Sequence, residues 1–216
     1  LLMNPGCSAA SSEAAATLTR EYDYIYAAVG SHPDAADEVN DAVLDRYRQL
    51  CRENPKIKAV GEIGLDYHWE DNPPKEHQKK VFALQMELAE KLGLPVVVHD
   101  REAHGDCLAI IREFPAVTGV FHCFSGSPEM AEELLKLGWY LGFDGPVTYK
   151  NARRAPEVAA VTPLNRMVVE NGYHLNTGFL STPFLCEVLA KYGHADTAYK
   201  LLLQDTAPSW LYEAKI

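Results

Sequence analysis

Short apolar runs alternate with longer segments of helical spacing over about the first 170 residues of this chain. Each run has the length of a buried strand, and the segments between runs place apolar residues on one helix face, as with Val81, Leu84 and Leu88. The runs lie at residues 1–3, 24–29, 59–63, 94–98, 117–121, 139–143 and 167–169. Because strands and helices alternate, the pattern predicts a parallel sheet.

The runs favour a (β/α) barrel over an open sheet, since none of them has the hydrophilic pattern of an edge strand. A complete barrel of this kind usually takes about 250 residues. The barrel-like part here is shorter, and the chain begins at Leu1 within an apolar run. We therefore expect an incomplete TIM-like barrel of about seven parallel strands that lacks its front.

The pattern changes after Glu170. Residues 171–216 contain two helical patterns, over 177–192 and 195–204, and no convincing strand. The two patterns predict a helical hairpin joined by a short turn. We expect two domains, a truncated barrel over residues 1–170 and a helical tail of different origin over residues 171–216.

Composition excludes several classes of protein. Hydrophobic residues make up 47% of the chain and charged residues 23%, which is typical of a globular protein. No apolar run approaches the ~18 residues of a membrane-spanning helix. The five Cys are scattered without a CxxC pair, which argues against a disulfide framework and indicates a cytoplasmic protein. The net charge of −10 argues against a nucleic-acid interface held by basic residues alone.

Three polar residues share one placement in this pattern. Glu62, His99 and His122 each close an apolar run, and the carboxyl ends of barrel strands meet at one mouth. A carboxylate and two imidazoles predict a site for Zn, Mn or Mg, where the ion polarises a phosphoryl or carbonyl oxygen. The alternative is that each His is a structural residue bonded to backbone at a strand end.

Other residues near the strand ends leave alternatives open. His32 is interpreted as a substrate-binding group or as a turn residue fixed by Pro33. Arg101 either holds an anionic group or lies solvated at the surface. Asp66 either orients a ligand or caps a turn, and Trp69 either lines the cleft or covers the core.

Three segments in this order resemble motifs of the TatD-type metal-dependent deoxyribonucleases: residues 61–67 (GEIGLDY), 95–103 (PVVVHDREA) and 121–126 (FHCFSG). Shorter matches lie at residues 29–33, 142–145 and 149–152. The resemblance implies a TIM-like barrel that hydrolyses phosphodiester bonds in DNA with one or two divalent metal ions.

The resemblance also implies roles for single residues. Glu62, His99 and His122 are the implied metal ligands, and Glu62 and His122 are the implied catalytic residues. His32 lies near the substrate, and we expect Arg101 to bind it as well. DNA is the expected partner, and we do not expect binding to a membrane.

This chain departs from the family pattern at both ends of the barrel. The family's first strand ends in a His-x-His pair, which is absent here, and its last strand ends in Glu-Thr-Asp, where this chain has Glu170, Asn171 and Gly172. We therefore expect one metal site rather than two, and an impaired deoxyribonuclease. The alternative is an inactive barrel fragment that acts as a binding or assembly module and self-associates through unpaired barrel edges.

The tail resembles a different family. Residues 173–185 and 208–213 are similar to a stretch of the helical-barrel α-L-rhamnosidases, without the carboxylate those enzymes use as catalytic base. Two helices cannot form a sugar site in which two acids flank the scissile bond. Rhamnosidase-type hydrolysis is therefore the least favoured alternative.

Overall fold

The structure is a computed structural model, and it describes residues 1–148, 158, 172, 185–191, 195–204 and 206. Strands and helices alternate through most of this part of the chain. In chain order they are β1 (Leu2–Pro5), α1 (Ala9–Glu21), β2 (Ile25–Val29), α2 (Asp41–Glu53), β3 (Ile57–Asp66), α3 (Lys75–Leu92), β4 (Val96–Arg101), α4 (His104–Glu113), β5 (Gly119–Phe121), α5 (Pro128–Lys136), β6 (Tyr140–Leu141), α6 (Leu185–Lys191) and α7 (Ala195–Leu202). Short 3₁₀ helices span Pro33–Glu38 and Gly145–Thr148.

The six strands form one sheet in the order β1-β2-β3-β4-β5-β6. Each neighbouring pair from β1 to β5 is parallel. The predicted parallel sheet of strand–helix units is therefore confirmed, and the short run at residues 1–3 belongs to β1. The predicted seventh run, at residues 167–169, lies outside the described residues.

The chain divides into two compact units. The first comprises Leu1–His122 and Leu137–Tyr140, and the second comprises Cys123–Lys136 and Leu141–Ile216. The boundary predicted at residue 170 lies outside the described residues, so the division into a barrel and a foreign tail stays a prediction.

The core of the first unit lies between β2 and helices α1 and α2. Ala27 and Val29 of β2 are fully buried against Tyr47 and Leu50 of α2. The amphipathic pattern of α2 explains this packing, and Asn40 begins the helix by accepting hydrogen bonds from two backbone amides. Burial of this apolar face stabilises the strand–helix pair.

Helix α3 ends at Leu92, directly before a glycine. Gly93 has a φ of 63°, a left-handed conformation that favours glycine, and its amide bonds back to the last turn of the helix. The chain then turns directly into β4, which brings the carboxyl end of that strand to the same edge as the ends of β2 and β3.

The second unit contains the predicted helices of the tail. Helices α6 and α7 pack against each other, with Leu189, Ala198 and Leu201 buried. They confirm the helical pair expected for this region, although residues 177–184 of the first predicted helix lie outside the described part. None of the described helices is long and apolar enough to cross a membrane.

Candidate metal centre

The carboxyl ends of the strands in the first unit carry the predicted site residues. His32 follows β2, and His122 directly follows β5. The expectation that Glu62 and His99 close their strands is wrong. Strand β3 continues to Asp66 and β4 continues to Arg101. The strands run on because their pairing continues past these residues, with Leu65 opposite Asp100 and Asp66 opposite Arg101.

An irregularity in β3 sets the direction of Glu62. Between Val60 and Ile63 the register against β4 shifts, so two residues of β3 lie opposite one of β4. Gly61 is required there, since a Cβ atom on it would lie 2.7 Å from the Cβ of Val97. The amide of Glu62 instead donates to the carbonyl of Gly6, at 2.7 Å.

Past the irregularity, β3 presents two carboxylates to one histidine. Gly64 is paired with His99, and Glu62 and Asp66 flank Gly64 on the same face because alternate residues of a strand share a face. Gly64 has a φ of 139°, and a Cβ atom on it would collide with the backbone carbonyl of His99. The two glycines of the GEIGLD segment therefore allow β3 to approach β4 closely at this point.

The imidazole of His99 lies between these two carboxylates. Its Nδ1 is 3.1 Å from Oε1 of Glu62, and its Nε2 is 3.0 Å from Oδ2 of Asp66. The three side chains are largely buried, with exposed fractions of 20% for His99, 12% for Glu62 and 2% for Asp66. Because a carboxylate oxygen only accepts, both ring nitrogens donate at once when His99 is an imidazolium.

The charges of this cluster shift two pKa values in opposite directions. Burial lowers the pKa of His99, but the hydrogen bond and charge of Glu62, with those of Asp66, outweigh it, so this pKa lies above its usual value. Burial raises the pKa of Glu62, but the hydrogen bond with His99 and the nearby imidazoles bring this pKa below its usual value. The cluster therefore favours a positive charge beside Glu62.

His32 joins the cluster from the loop after β2. Its ring lies edge-on to that of His99, with centroids 4.3 Å apart, and its Nδ1 is 2.7 Å from Oδ1 of Asp34. Its amide donates to the carbonyl of Cys7 at 2.9 Å. Ligand atoms of His32, Asp66 and His99 all lie within 4.8 Å of one another, and this is the one such group among the described residues.

His122 and Arg101 lie at the same edge of the sheet. The amide of His122 donates to the carbonyl of Val98 at 2.9 Å, and its imidazole acts electrostatically on Glu62. Arg101 is the exposed last residue of β4, and its guanidinium carbon lies 5.3 Å from the centre of the Trp69 ring. The structure thus brings Glu62 to His99, while the ligand set of Glu62, His99 and His122 stays a prediction.

Two buried glutamines of α3 hold the backbone beneath the site. The side chain of Gln78 accepts from the amide of Asp66 at 2.9 Å and donates to its carbonyl at 3.0 Å. Gln85 does the same for Ser31, at 2.8 and 3.0 Å, and so fixes the residue before His32. Sequence reasoning missed both, although two amides on the buried face of a helix were the available signal.

Comparisons with known proteins match two family profiles to this chain. The profile of the family described as TatD related DNase matches residues 1–180. The profile of the bacterial alpha-L-rhamnosidase 6 hairpin glycosidase domain matches residues 151–216, so the two matches overlap.

Two curated relatives and one solved structure illustrate the likeness. The uncharacterized metal-dependent hydrolase YabD of Bacillus subtilis is 44% identical over 71% of this chain, which spans 60% of YabD. The 3′-5′ ssDNA/RNA exonuclease TatD of Cronobacter turicensis is 36% identical over 76% of this chain and 63% of its own length. The crystal structure of YjjV, a TatD homologue from Escherichia coli, has a TM-score of 0.76 and 28% identity over 93% of this chain and 82% of its own. This likeness, with the parallel sheet, confirms the predicted TIM-like barrel.

Proposed function

The chain belongs to the family of TatD-related DNases. We propose that it is a metal-dependent hydrolase that cleaves phosphodiester bonds in DNA. The observation that carries the proposal is the imidazole of His99 held between the carboxylates of Glu62 and Asp66. The chain spans about 60% of the length of its curated relative YabD, so the activity of such a whole protein is part of the proposal.

The donor atoms at this edge suit one divalent ion. Imidazole nitrogens and carboxylate oxygens are ligands of Zn and Mn, and carboxylates also suit Mg. We propose that Glu62, His99 and His122 hold the ion, with the compact group of His32, Asp66 and His99 as the alternative set. Because only a neutral imidazole binds a metal, the ion would replace the proton on one ring nitrogen of His99. A divalent ion here supplies the charge that polarises a phosphoryl oxygen and acidifies water.

The chain's own residues orient the attacking water and transfer its proton. The carboxylate of Glu62, whose pKa lies below its usual value, is ionised at neutral pH, and it accepts the proton of the attacking water. His122, whose imidazole acts electrostatically on Glu62, is the second catalytic residue. The new bond joins the water oxygen to phosphorus, and the bond from phosphorus to the leaving sugar oxygen breaks, with a proton returned to that oxygen.

Substrate binding completes the proposal. We propose that His32 and Arg101 contact the DNA strand beside the site. We also propose that single-stranded DNA is the preferred substrate. The relative from Cronobacter turicensis is an exonuclease of single-stranded DNA and RNA by name, which supports an unpaired strand as substrate. The acidity of the chain fits this assignment, because a bound cation attracts phosphate to an otherwise acidic mouth.

Residues 171–216 are proposed to have an origin different from that of the barrel. The match of residues 151–216 to the rhamnosidase profile supports this division. Self-association through unpaired barrel edges and a cytoplasmic location stay predictions. Glu170, Asn171 and Gly172 stand where the family pattern has Glu-Thr-Asp, and for this reason we expect weak hydrolysis.

The test uses the purified full chain. We expect bound divalent metal by elemental analysis and slow cleavage of a single-stranded oligodeoxynucleotide with Mn or Mg, abolished by a chelator. His122→Ala removes the cleavage, whereas His77→Ala, on α3 and 37% exposed, keeps it as the matched control.

Absence of both retained metal and chelator-sensitive cleavage would contradict the proposal and favour the inactive binding module. Hydrolysis of an aryl rhamnoside that survives His122→Ala would instead support glycoside chemistry in the tail.

A further inference from the structure

The loop after β3 holds a large aromatic side chain in solvent. Trp69 is 57% exposed, although its loop is tied down at several points. The amide of Asn72 donates to the carbonyl of Trp69 at 3.3 Å, and its side chain donates to the carbonyl of Asp66 at 3.2 Å. Gln78 donates to the carbonyl of Pro73 at 2.7 Å. The indole is therefore presented by an ordered loop.

Two further side chains complete what we call the Trp69 platform, formed by His68, Trp69 and Arg101. The ring of His68 lies edge-on to the indole, with centroids 4.7 Å apart, and the guanidinium carbon of Arg101 lies 5.3 Å from the centre of the indole, which stays 57% exposed. His68 is held by Glu102, whose Oε1 lies 2.8 Å from Nδ1. Glu102 has a φ of 57°, a left-handed conformation that non-glycine residues rarely adopt.

One carboxylate joins the platform to the candidate metal centre. Oδ2 of Asp66 contacts His99, and Oδ1 of the same side chain accepts a hydrogen bond from the amide of His68 at 2.9 Å. Arg101 lies two residues beyond His99 on β4. The platform and the metal centre therefore share an edge of the sheet and one common support.

We propose that an unpaired base of the substrate strand stacks on the Trp69 platform while the phosphodiester bond to be cleaved lies at Glu62 and His99. An indole face stacks on any base, so the platform binds without reading sequence. Arg101 on the indole adds a cation beside the stack. This proposal rests on the proposed function, because it names how that site holds its substrate.

The charges around the platform decide between a base and a phosphate as its ligand. Glu70 and Asp71 follow Trp69 directly, and Glu102 lies against His68. These carboxylates offset the charge of Arg101, so the surface does not attract phosphate strongly. An exposed aromatic ring in acidic surroundings suits the uncharged face of a base, and because the loop is already ordered, little conformational entropy is lost on binding.

The experiment measures binding without turnover. Fluorescence anisotropy of a fluorescein-labelled oligodeoxythymidylate is recorded with the full chain in the presence of a chelator. We expect Trp69→Ala to weaken binding roughly 5- to 150-fold, as for loss of one stacked base, and Trp69→Phe to retain most of it. A labelled abasic strand with the same number of phosphates should bind weakly and respond little to Trp69→Ala.

Tyr24→Ala is the matched control. Tyr24 is 55% exposed and paired with Tyr22, but it precedes β2 and so lies at the opposite edge of the sheet. We expect it to leave the affinity unchanged, and thermal melts verify that each variant folds. Equal affinity for base-bearing and abasic strands, no binding of either, or an unchanged affinity in Trp69→Ala would overturn the proposal.

The two proposals fail in different ways. If the chain binds DNA through Trp69 but never cleaves it, the stacking proposal is supported and the proposed function is contradicted. If Trp69→Ala cleaves DNA with an unchanged KM, the proposed function is supported and the stacking proposal is contradicted.

Discussion

The two edges of the sheet in the first unit both bury polar groups, but they satisfy them differently. At the amino edge, the side chain of Asn54 donates to Thr19 at 2.8 Å, and Thr19 donates to the carbonyl of Ala16 at 2.8 Å. Lys56 donates to the carbonyl of Thr19 at 2.9 Å. Each of these donors meets an acceptor, so this network supports the packing of α1 and α2.

At the carboxyl edge, two carboxylates converge on one imidazole. Glu62 and Asp66 both point at one imidazole, and the arrangement is favourable only with a positive charge between them. The contrast separates two roles within one sheet. Hydrogen bonds at the amino edge are satisfied and add stability, whereas the carboxyl edge gathers the charged groups of the proposed metal centre. Each of the following predictions tests that separation.

The largest effect should come from His99→Ala. His99 belongs to both proposed ligand sets, so its loss should lower metal-dependent cleavage by more than about 100-fold. Initial rates at saturating metal measure the effect, with the amount of folded protein determined by circular dichroism. Retention of more than a tenth of the rate would show that the carboxyl edge is not the site of chemistry.

The next effect separates the two ligand sets. Loss of a group that binds or orients a metal ligand typically costs about 10- to 100-fold in metal affinity. We expect Glu62→Gln to weaken Mn binding more than Asp66→Asn, as measured by competition with a chromophoric chelator. The reverse order would assign the ion to the group of His32, Asp66 and His99.

At the amino edge, Asn54→Ala should change stability alone. Asn54 is 5% exposed, and its removal leaves buried groups without a donor, which costs about 1–3 kcal/mol of the free energy of unfolding. Urea denaturation measures the loss, and the cleavage rate per folded molecule should not change. Gln49→Ala, at an exposed amide on α2, the helix that Asn54 follows, is the control and should stay within about 0.5 kcal/mol.

The smallest effect is a pH dependence confined to the carboxyl edge. The raised pKa of His99 adds stability that is present below the usual value of 6.5 and is lost as the pH rises through the folded-state pKa. The lowered pKa of Glu62 adds stability that is present above the usual value of 4.5 and is lost as the pH falls through the folded-state pKa. The metal-free chain should therefore gain most from this pair between pH 4.5 and 6.5.

Thermal melts in chelator at several pH values measure this gain, which should be about 1 kcal/mol. Glu62→Gln should flatten the profile in that window, while Asn54→Ala should shift the whole profile downward without changing its shape. A profile that Glu62→Gln leaves unaltered would remove the coupling between Glu62 and His99.

Local sequence patterns predicted the elements of the barrel well. The apolar runs became β1 to β6, and Gly93 ends α3 because its conformation depends on neighbouring residues alone. Glu62 and His99 were found because residues near the carboxyl ends of parallel strands meet at one edge. The exact ends of β3 and β4 were not predicted, since buried residues such as Leu65 extend a strand only when a partner strand covers them.

The sequence by itself determined the strand–helix alternation, the glycines that let β3 and β4 approach, and two side chains of the candidate site. Only the tertiary structure decided that Asp66 and His32 meet His99, and that Gln78 supports the backbone of Asp66 from a helix. These contacts depend on the register between strands and on the shift at Gly61, which a linear pattern does not encode. Side chains distant in sequence become neighbours through that register, and the shifted pKa values of Glu62 and His99 arise from their combined charges.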